Sequence, residues 1–209
     1  SRRIRGMDAP AMPLESLARR EYVDAFLEIA RRISEPLKKL PKKALPVQMV
    51  VAGGAALHFY TGERVTQDVD AAFSRRIALP DKLEVSYRDA DGAAQLLYLD
   101  RQYSDTLALI HKDAYKDSEP LALLGLEPEV LEVRLLTPTD LAVSKIGRLT
   151  SQDRDDIAAL ARRGLVHSAS LRKRAEEAVA NFVGDTTRLR GNIATACRIV
   201  ADVETRATW

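Results

Sequence analysis

The sequence contains one cysteine, few aromatic residues and no long apolar run. Cys197 has no second cysteine with which to form a disulfide inside the chain. Aromatic residues make up 5% of the 209 residues, which argues against a module that binds RNA by stacking bases. His111 and His167 have no partner at the spacing of zinc ligands, so no zinc site is predicted. The absence of a membrane-spanning run and of a signal-peptide pattern predicts a cytoplasmic protein without a membrane partner.

Charges of both signs are nearly balanced, with a formal net charge of +2. Residues 1–43 nevertheless hold eleven Lys or Arg against six Asp or Glu. Four of these cations are lysines within residues 38–43. The preceding amphipathic pattern predicts a helix that begins at Leu14 and ends near Pro36 or continues with a kink to Leu40. Two interpretations are open: the lysines guide a polyanion such as tRNA toward a cleft, or they are solvated and complement the helix dipole.

The most informative feature is a Gly-Gly turn followed closely by two alternating carboxylates. Gly53 and Gly54 separate a predicted buried strand from a short predicted helix, so their backbone N–H groups can approach a triphosphate without an intervening Cβ. Asp68 and Asp70 share one face of a predicted strand, with Cα atoms about 6.5 to 7 Å apart. Two like charges at that separation call for a cation, and carboxylate oxygens suit Mg²⁺. The order of these features in one strand-helix-strand unit predicts metal-assisted nucleotidyl transfer.

Neighbouring side chains extend this candidate site. Arg64 is a candidate phosphate ligand, because a guanidinium contacts phosphate in a bidentate manner. Thr66 lies on the same strand face as the two aspartates, where its hydroxyl can orient a carboxylate. A structural interpretation stays open for each element, since Gly-Gly is common turn punctuation and alternating aspartates also mark exposed sheet faces.

The stretch Gly53-Gly54-Ala55-Ala56-Leu57, with residues 61–70, resembles the signature of the polymerase-β-type nucleotidyltransferase superfamily, in its compact bacterial branch related to the AbiEii and MenT toxins. A second block, residues 135–149 with 153–160, resembles that branch's downstream lysine and aspartate motifs. The resemblance implies Mg²⁺ or Mn²⁺ as cofactor, an NTP substrate, a tRNA 3′ end as acceptor and a cognate antitoxin protein as partner. It also implies that Lys145 contacts nucleotide phosphates and that Asp156, or failing that Asp153, completes the acidic site.

The downstream block is also interpretable without the family. Thr137 as N-cap and Pro138 at the first position predict a helix over 138–149, and Ser151 begins a second helix that ends at Gly164. On spacing alone, Lys145 is a solvated lysine and the aspartates of 153–156 are surface charges that complement the helix dipole. Glu132 lies on a predicted strand, where it is either a third carboxylate of the site or the partner of Arg134.

The pattern of elements predicts an α+β fold: a nucleotidyltransferase-like mixed sheet flanked by helices, with a C-terminal helical subdomain. Residues 1–6, before Met7, are interpreted as a cloning remnant. The predicted division is an N-terminal helical segment over 7–46, a catalytic core over 47–136 and a helical region over 137–209. Residues 103–124 are predicted only as a mixed insert. Three alternatives stay open: a nucleotide- or partner-binding protein without turnover, and a nucleotidyltransferase that acts on a small molecule or on a protein.

Overall fold

The computed structural model describes residues 17–105 and 108–208. The interpreted cloning remnant and the predicted helix start at Leu14 lie outside these residues. The first described helix is α1 (Arg20–Leu37), and it ends one residue after Pro36, which has no backbone N–H to continue the helix. Its buried residues recur at helical spacing and form one apolar stripe; they include Tyr22, Phe26, Ile29 and Ile33.

A six-stranded mixed sheet forms the centre of the molecule. Its strands are β1 (Val47–Ala52), β2 (Asp68–Phe73), β3 (Glu84–Arg88), β4 (Ala94–Leu99), β5 (Glu119–Pro120) and β6 (Leu131–Leu135), in the spatial order β3-β4-β2-β1-β6-β5. β1 pairs antiparallel with β2 and parallel with β6, and β2 pairs parallel with β4. β3 and β4 form an antiparallel hairpin, with its turn at residues 89–92. The mixed sheet confirms the predicted fold class.

Two helices cover the sheet and contribute to its core. α2 (Gly53–Thr61) follows β1 without a connecting loop and packs on β1 and β2. α1 packs on β3, β4 and β6, and it contacts α2 through the rings of Phe26 and Phe59, whose centroids are 5.1 Å apart. β2 alternates accordingly: Val69 and Ala71 are buried, whereas the side chains of Asp68 and Asp70 are only partly covered.

Four helices complete the chain: α3 (Pro138–Ile146), α4 (Ser151–Arg162), α5 (Ser168–Ala180) and α6 (Thr187–Ala207). Thr137 caps α3 as predicted, since its side chain accepts a hydrogen bond from the backbone N–H of Asp140. α3 ends at Ile146, three residues before the predicted position 149. Leu149 has a φ of +49°, which lies in the left-handed region and is incompatible with a continuing right-handed helix. These helices pack on one another, and α3 and α4 also contact α2. The three-part division of the chain stays a prediction.

In the parts of the chain that the structure describes, none of the helices has both the length and the apolar character needed to cross a bilayer.

Candidate active site

Three carboxylates meet at one place on the sheet. Oxygen atoms of Asp68, Asp70 and Asp100 all lie within 4.8 Å of one another, and each side chain is half-buried. The sequence pattern predicted Asp68 and Asp70 but not Asp100. The structure places Asp100 beside the other two, and the prediction that Asp156 or Asp153 completes the acidic site stays a prediction.

Strand pairing brings Asp100 to this position. β4 runs parallel to β2, with Asp68 opposite Tyr98 and Val69 opposite Leu99. Asp100 directly follows β4 and therefore comes opposite Asp70. The backbone N–H of Asp100 extends this ladder by donating to the carbonyl oxygen of Val69, at 3.0 Å. Thr66 lies two residues before Asp68. Its hydroxyl donates a hydrogen bond to Oδ1 of Asp68, which is the orienting contact expected for this threonine.

The cluster is electrostatically suited to a divalent cation. Burial, followed by the charges of Asp68 and Asp100, raises the pKa of Asp70 to about 6, although the positive charges of Lys145 and Arg148 oppose this shift. An ion held by these oxygens offsets the repulsion among the carboxylates, which adds to the effect of burial on this pKa. Carboxylate oxygens are the hard donors that Mg²⁺ or Mn²⁺ prefers, so the three residues fit the implied metal.

Gly53 lies directly against the carboxylate cluster. Its φ is +59°, and a Cβ at this position would overlap Oδ2 of Asp70, so only glycine is compatible with the geometry. A Cβ at Gly54 would lie 3.2 Å from Nη2 of Arg64. No side chain caps the N-terminus of α2, which leaves its first-turn N–H groups free of a side-chain partner. The Gly-Gly turn thus presents backbone donors between the carboxylates and a guanidinium.

A buried ion-pair network lies on the far side of this turn. Nζ of Lys145 is 2.6 Å from Oδ2 of Asp156, and Nη2 of Arg64 is 2.9 Å from the same oxygen. Lys145 and Asp156 are both almost fully buried, and Gln152 donates to the second oxygen of Asp156 at 3.0 Å. Asp156 therefore holds the two cations predicted to contact phosphate, and one of them, Lys145, lies within electrostatic reach of Asp70.

The other candidates have structural partners. Asp153 forms a capping box with Thr150 at the start of α4 and lies 4.0 Å from Nζ of Lys145. Glu132 pairs with Arg134 at 2.6 Å and accepts a hydrogen bond from Gln48, which lies at the opposite end of β1 from the carboxylate cluster. Of the two interpretations of Glu132, the structure supports the pair with Arg134.

Comparison with known families agrees with this geometry. Residues 29–192 match the family described as nucleotidyltransferase of unknown function (DUF6036). The match covers more than half of the chain, and the protein belongs to this family. No curated protein matches the chain. The general prediction of a nucleotidyltransferase family is therefore confirmed.

The clustered carboxylates predict that the site destabilises the protein when no cation is present. A folded-state pKa raised above the unfolded value of about 3.9 makes the ionised form of Asp70 unfavourable, so stability present at acidic pH is lost as the pH rises through about 6. In EDTA at pH 7, Asp70→Asn should raise the free energy of unfolding by about 1 kcal/mol, a value discounted because solvent screens this partly exposed group. The melting temperature should then rise by about 2–4 °C.

Thermal melts with EDTA or Mg²⁺ at pH 4 and pH 7 check this prediction. Mg²⁺ should stabilise the wild type and have little effect on the variant, and at pH 4 the difference between them should shrink. An Asp70→Asn variant that is no more stable than the wild type in EDTA at pH 7 contradicts it.

Proposed function

We propose that this protein is a divalent-metal-dependent enzyme that transfers a nucleoside monophosphate from an NTP to an acceptor hydroxyl. The observation that carries the proposal is the meeting of Asp68, Asp70 and Asp100 within 4.8 Å beside the Gly53-Gly54 turn. In the reaction, the acceptor oxygen forms a bond to the α-phosphorus while the bond from that phosphorus to the α–β bridging oxygen breaks. Pyrophosphate leaves, and the proton of the acceptor hydroxyl is released to solvent.

The chain's own residues supply position and charge for this chemistry. Asp68, Asp70 and Asp100 would hold the metal, which supplies neutralisation of charge on the reacting phosphate when bound. The free N–H groups at the start of α2 donate to phosphate oxygens, and Arg64 and Lys145 neutralise the triphosphate from the side held by Asp156. Thr66 keeps Asp68 oriented toward the cluster.

The acceptor and the biological setting follow from the resemblance to the AbiEii and MenT branch. On that basis we propose a tRNA 3′ end as acceptor and a toxin of a toxin–antitoxin or phage-defence system, with a cognate antitoxin. These assignments rest on analogy and not on the geometry of the site. Growth arrest on expression, relieved by Asp70→Asn, is the expected outcome in cells.

A label-transfer experiment tests the proposed reaction. The protein is incubated with each α-³²P-labelled NTP in turn, Mg²⁺ and total RNA, and the products are separated on gels and by thin-layer chromatography. We expect one or more NTPs to label RNA, with loss of the signal in EDTA. Label on protein or on a small molecule supports nucleotidyl transfer with a different acceptor. Nucleotide binding without label on any acceptor supports the alternative of a binding protein without turnover and overturns the proposal.

A further inference from the structure

Arg148 is an exposed cation just after α3, three residues beyond Lys145. Its side chain is 70% exposed, and its Nη2 lies 3.5 Å from Oδ1 of Asp153. Nζ of Lys145 lies 4.0 Å from the same oxygen. The positive charge of Arg148 also reaches the carboxylate cluster, where it opposes the rise in the pKa of Asp70. Arg148 is therefore close enough to Lys145 and to the cluster to act on a ligand bound between them.

The backbone that carries Arg148 is held in place on both sides. Side chains of α4 and α6 donate to the carbonyl oxygens around it: Asn192 to Ile146, Arg188 to Gly147 and Arg154 to Leu149. Leu149 is buried, and its φ of +49° lies in a region that a bulky side chain rarely adopts. Such conformations persist where the surrounding contacts impose them, and they cluster at functional sites. With its backbone held, Arg148 changes its contacts through its side chain alone.

Of the three cations Arg64, Lys145 and Arg148, the last is held most weakly. Lys145 is almost fully buried and lies 2.6 Å from Asp156. Arg64 contacts both oxygens of Asp156, at 2.9 and 3.4 Å. Breaking a buried ion pair is costly, whereas an exposed arginine at 3.5 Å from its carboxylate loses little when that contact breaks. Arg148 is thus the cation that moves most readily to an incoming anion.

Asp153 keeps other partners when Arg148 leaves it. Its Oδ2 accepts hydrogen bonds from the backbone N–H and the hydroxyl of Thr150, at 3.1 and 2.9 Å. Lys145 stays near its Oδ1. These contacts matter because the side chain of Asp153 is only 3% exposed, and an isolated buried carboxylate is strongly unfavourable. The departure of Arg148 is therefore compatible with the burial of Asp153.

From these contacts we infer that Arg148 is a further nucleotide-binding residue, which leaves Asp153 and contacts the terminal phosphates of the NTP beside Lys145. The inference rests on the proposed function, because it concerns the phosphates that leave as pyrophosphate. A guanidinium donates two parallel hydrogen bonds to a phosphate group. As the bond from the α-phosphorus to the α–β bridging oxygen breaks, negative charge develops on the leaving pyrophosphate, and the charge of Arg148 stabilises it.

Binding of inorganic tripolyphosphate tests the inference without turnover and without a base or an acceptor. The probe is titrated into the protein in Mg²⁺, and isothermal titration calorimetry measures the Kd. Arg148→Ala should weaken binding about tenfold, because one charged contact is lost. Arg148→Lys should retain part of the affinity, since lysine keeps the charge but not the paired hydrogen bonds.

Arg190→Ala is the matched control, because it removes the same charge from an exposed position on α6. It should bind tripolyphosphate as the wild type does. Both alanine variants should melt within about 2 °C of the wild type, since both side chains are exposed. Equal affinities of the wild type and Arg148→Ala, or equal losses in the two alanine variants, overturn the inference.

Asp153→Asn tests the exchange of partners. The amide oxygen of asparagine still accepts the hydrogen bonds of Thr150, but the variant no longer attracts Arg148 by charge. Tripolyphosphate should bind more tightly to it, and the gain should be smaller when position 148 is alanine. A gain of the same size in both backgrounds contradicts the exchange. Weaker binding by Asp153→Asn also contradicts it and supports a place for Asp153 in the acidic site.

Failure of the proposed function is separate from failure of this inference. It appears as an absence of label transfer by the wild type while tripolyphosphate binding still depends on Arg148. Label transfer with a rate and an NTP KM that Arg148→Ala leaves unchanged has the opposite meaning: the proposed function stands, and only the role of Arg148 is refuted.

Discussion

Asp68→Asn and Asp70→Asn are each expected to lower the rate of nucleotidyl transfer by about 10³-fold or more. Both variants keep the size of the side chain but remove a charge from the three-carboxylate cluster. The loss of that charge lowers the affinity of the cluster for a divalent ion. About 4 kcal/mol of lost charge stabilisation in the transition state corresponds to about 10³ in rate. The measurement is the initial rate of label transfer at saturating NTP and acceptor.

Asp100→Asn distinguishes the three-carboxylate site from a site built by Asp68 and Asp70 alone. If Asp100 holds the metal with Asp68 and Asp70, the transfer rate of Asp100→Asn should fall nearly as far as the rates of Asp68→Asn and Asp70→Asn. Raising the Mg²⁺ concentration should then recover part of the rate. Asp202→Asn is the control, since Asp202 is exposed on α6 and outside the cluster. Full activity in Asp100→Asn contradicts the role of Asp100, and full activity in Asp70→Asn contradicts the proposed site.

The contrast between these aspartates shows what local sequence determines. Asp68 and Asp70 were predictable because a strand places alternate residues on one face, whatever surrounds it. Asp100 lies about 30 residues away in the sequence, and the residues around it do not indicate that β4 pairs in parallel with β2. A search for carboxylates one residue after a predicted strand would have found it, among several others. Only the order of the strands in the sheet shows which of these carboxylates joins Asp68 and Asp70.

Glu132 illustrates the same dependence in the opposite direction. The alternation of its strand was correct, since Glu132 and Arg134 do lie on one face of β6 and pair with each other. Its register on β1 was not predictable. Glu132 comes opposite Gln48 at the start of β1, whereas Asp70 comes opposite Ala52 at the end. Four residues of strand separate the two positions, about 13 Å along the sheet.

Local capping signals were also predictable, but the partners of buried charges were not. Thr137 caps α3 as expected from its own sequence neighbourhood. On spacing alone, Asp153 and Asp156 were interpreted as surface charges, but both are buried. What each one contacts depends on long-range packing: Asp153 caps its own helix, while Asp156 meets Lys145 from α3 and Arg64 from the segment before β2.

Asp156→Ala is expected to lower the free energy of unfolding by about 3–5 kcal/mol, because it leaves the buried Lys145 without its nearest counter-ion. Arg64 and Gln152 lose the same acceptor. For a chain of this size, the melting temperature should fall by roughly 6–20 °C. Urea unfolding of the variant and the wild type measures the loss.

Asp155→Ala is the matched control, one residue away on the same helix but exposed, and it should change stability by no more than about 0.5 kcal/mol. Combining Asp156→Leu with Lys145→Met should recover part of the lost free energy of unfolding. Two apolar side chains then replace the ion pair of Lys145 and Asp156, so neither position holds an unpaired buried charge. If Asp156→Ala is as stable as Asp155→Ala, the network does not hold Lys145 in place. The position of Lys145 for phosphate contact would then require another cause.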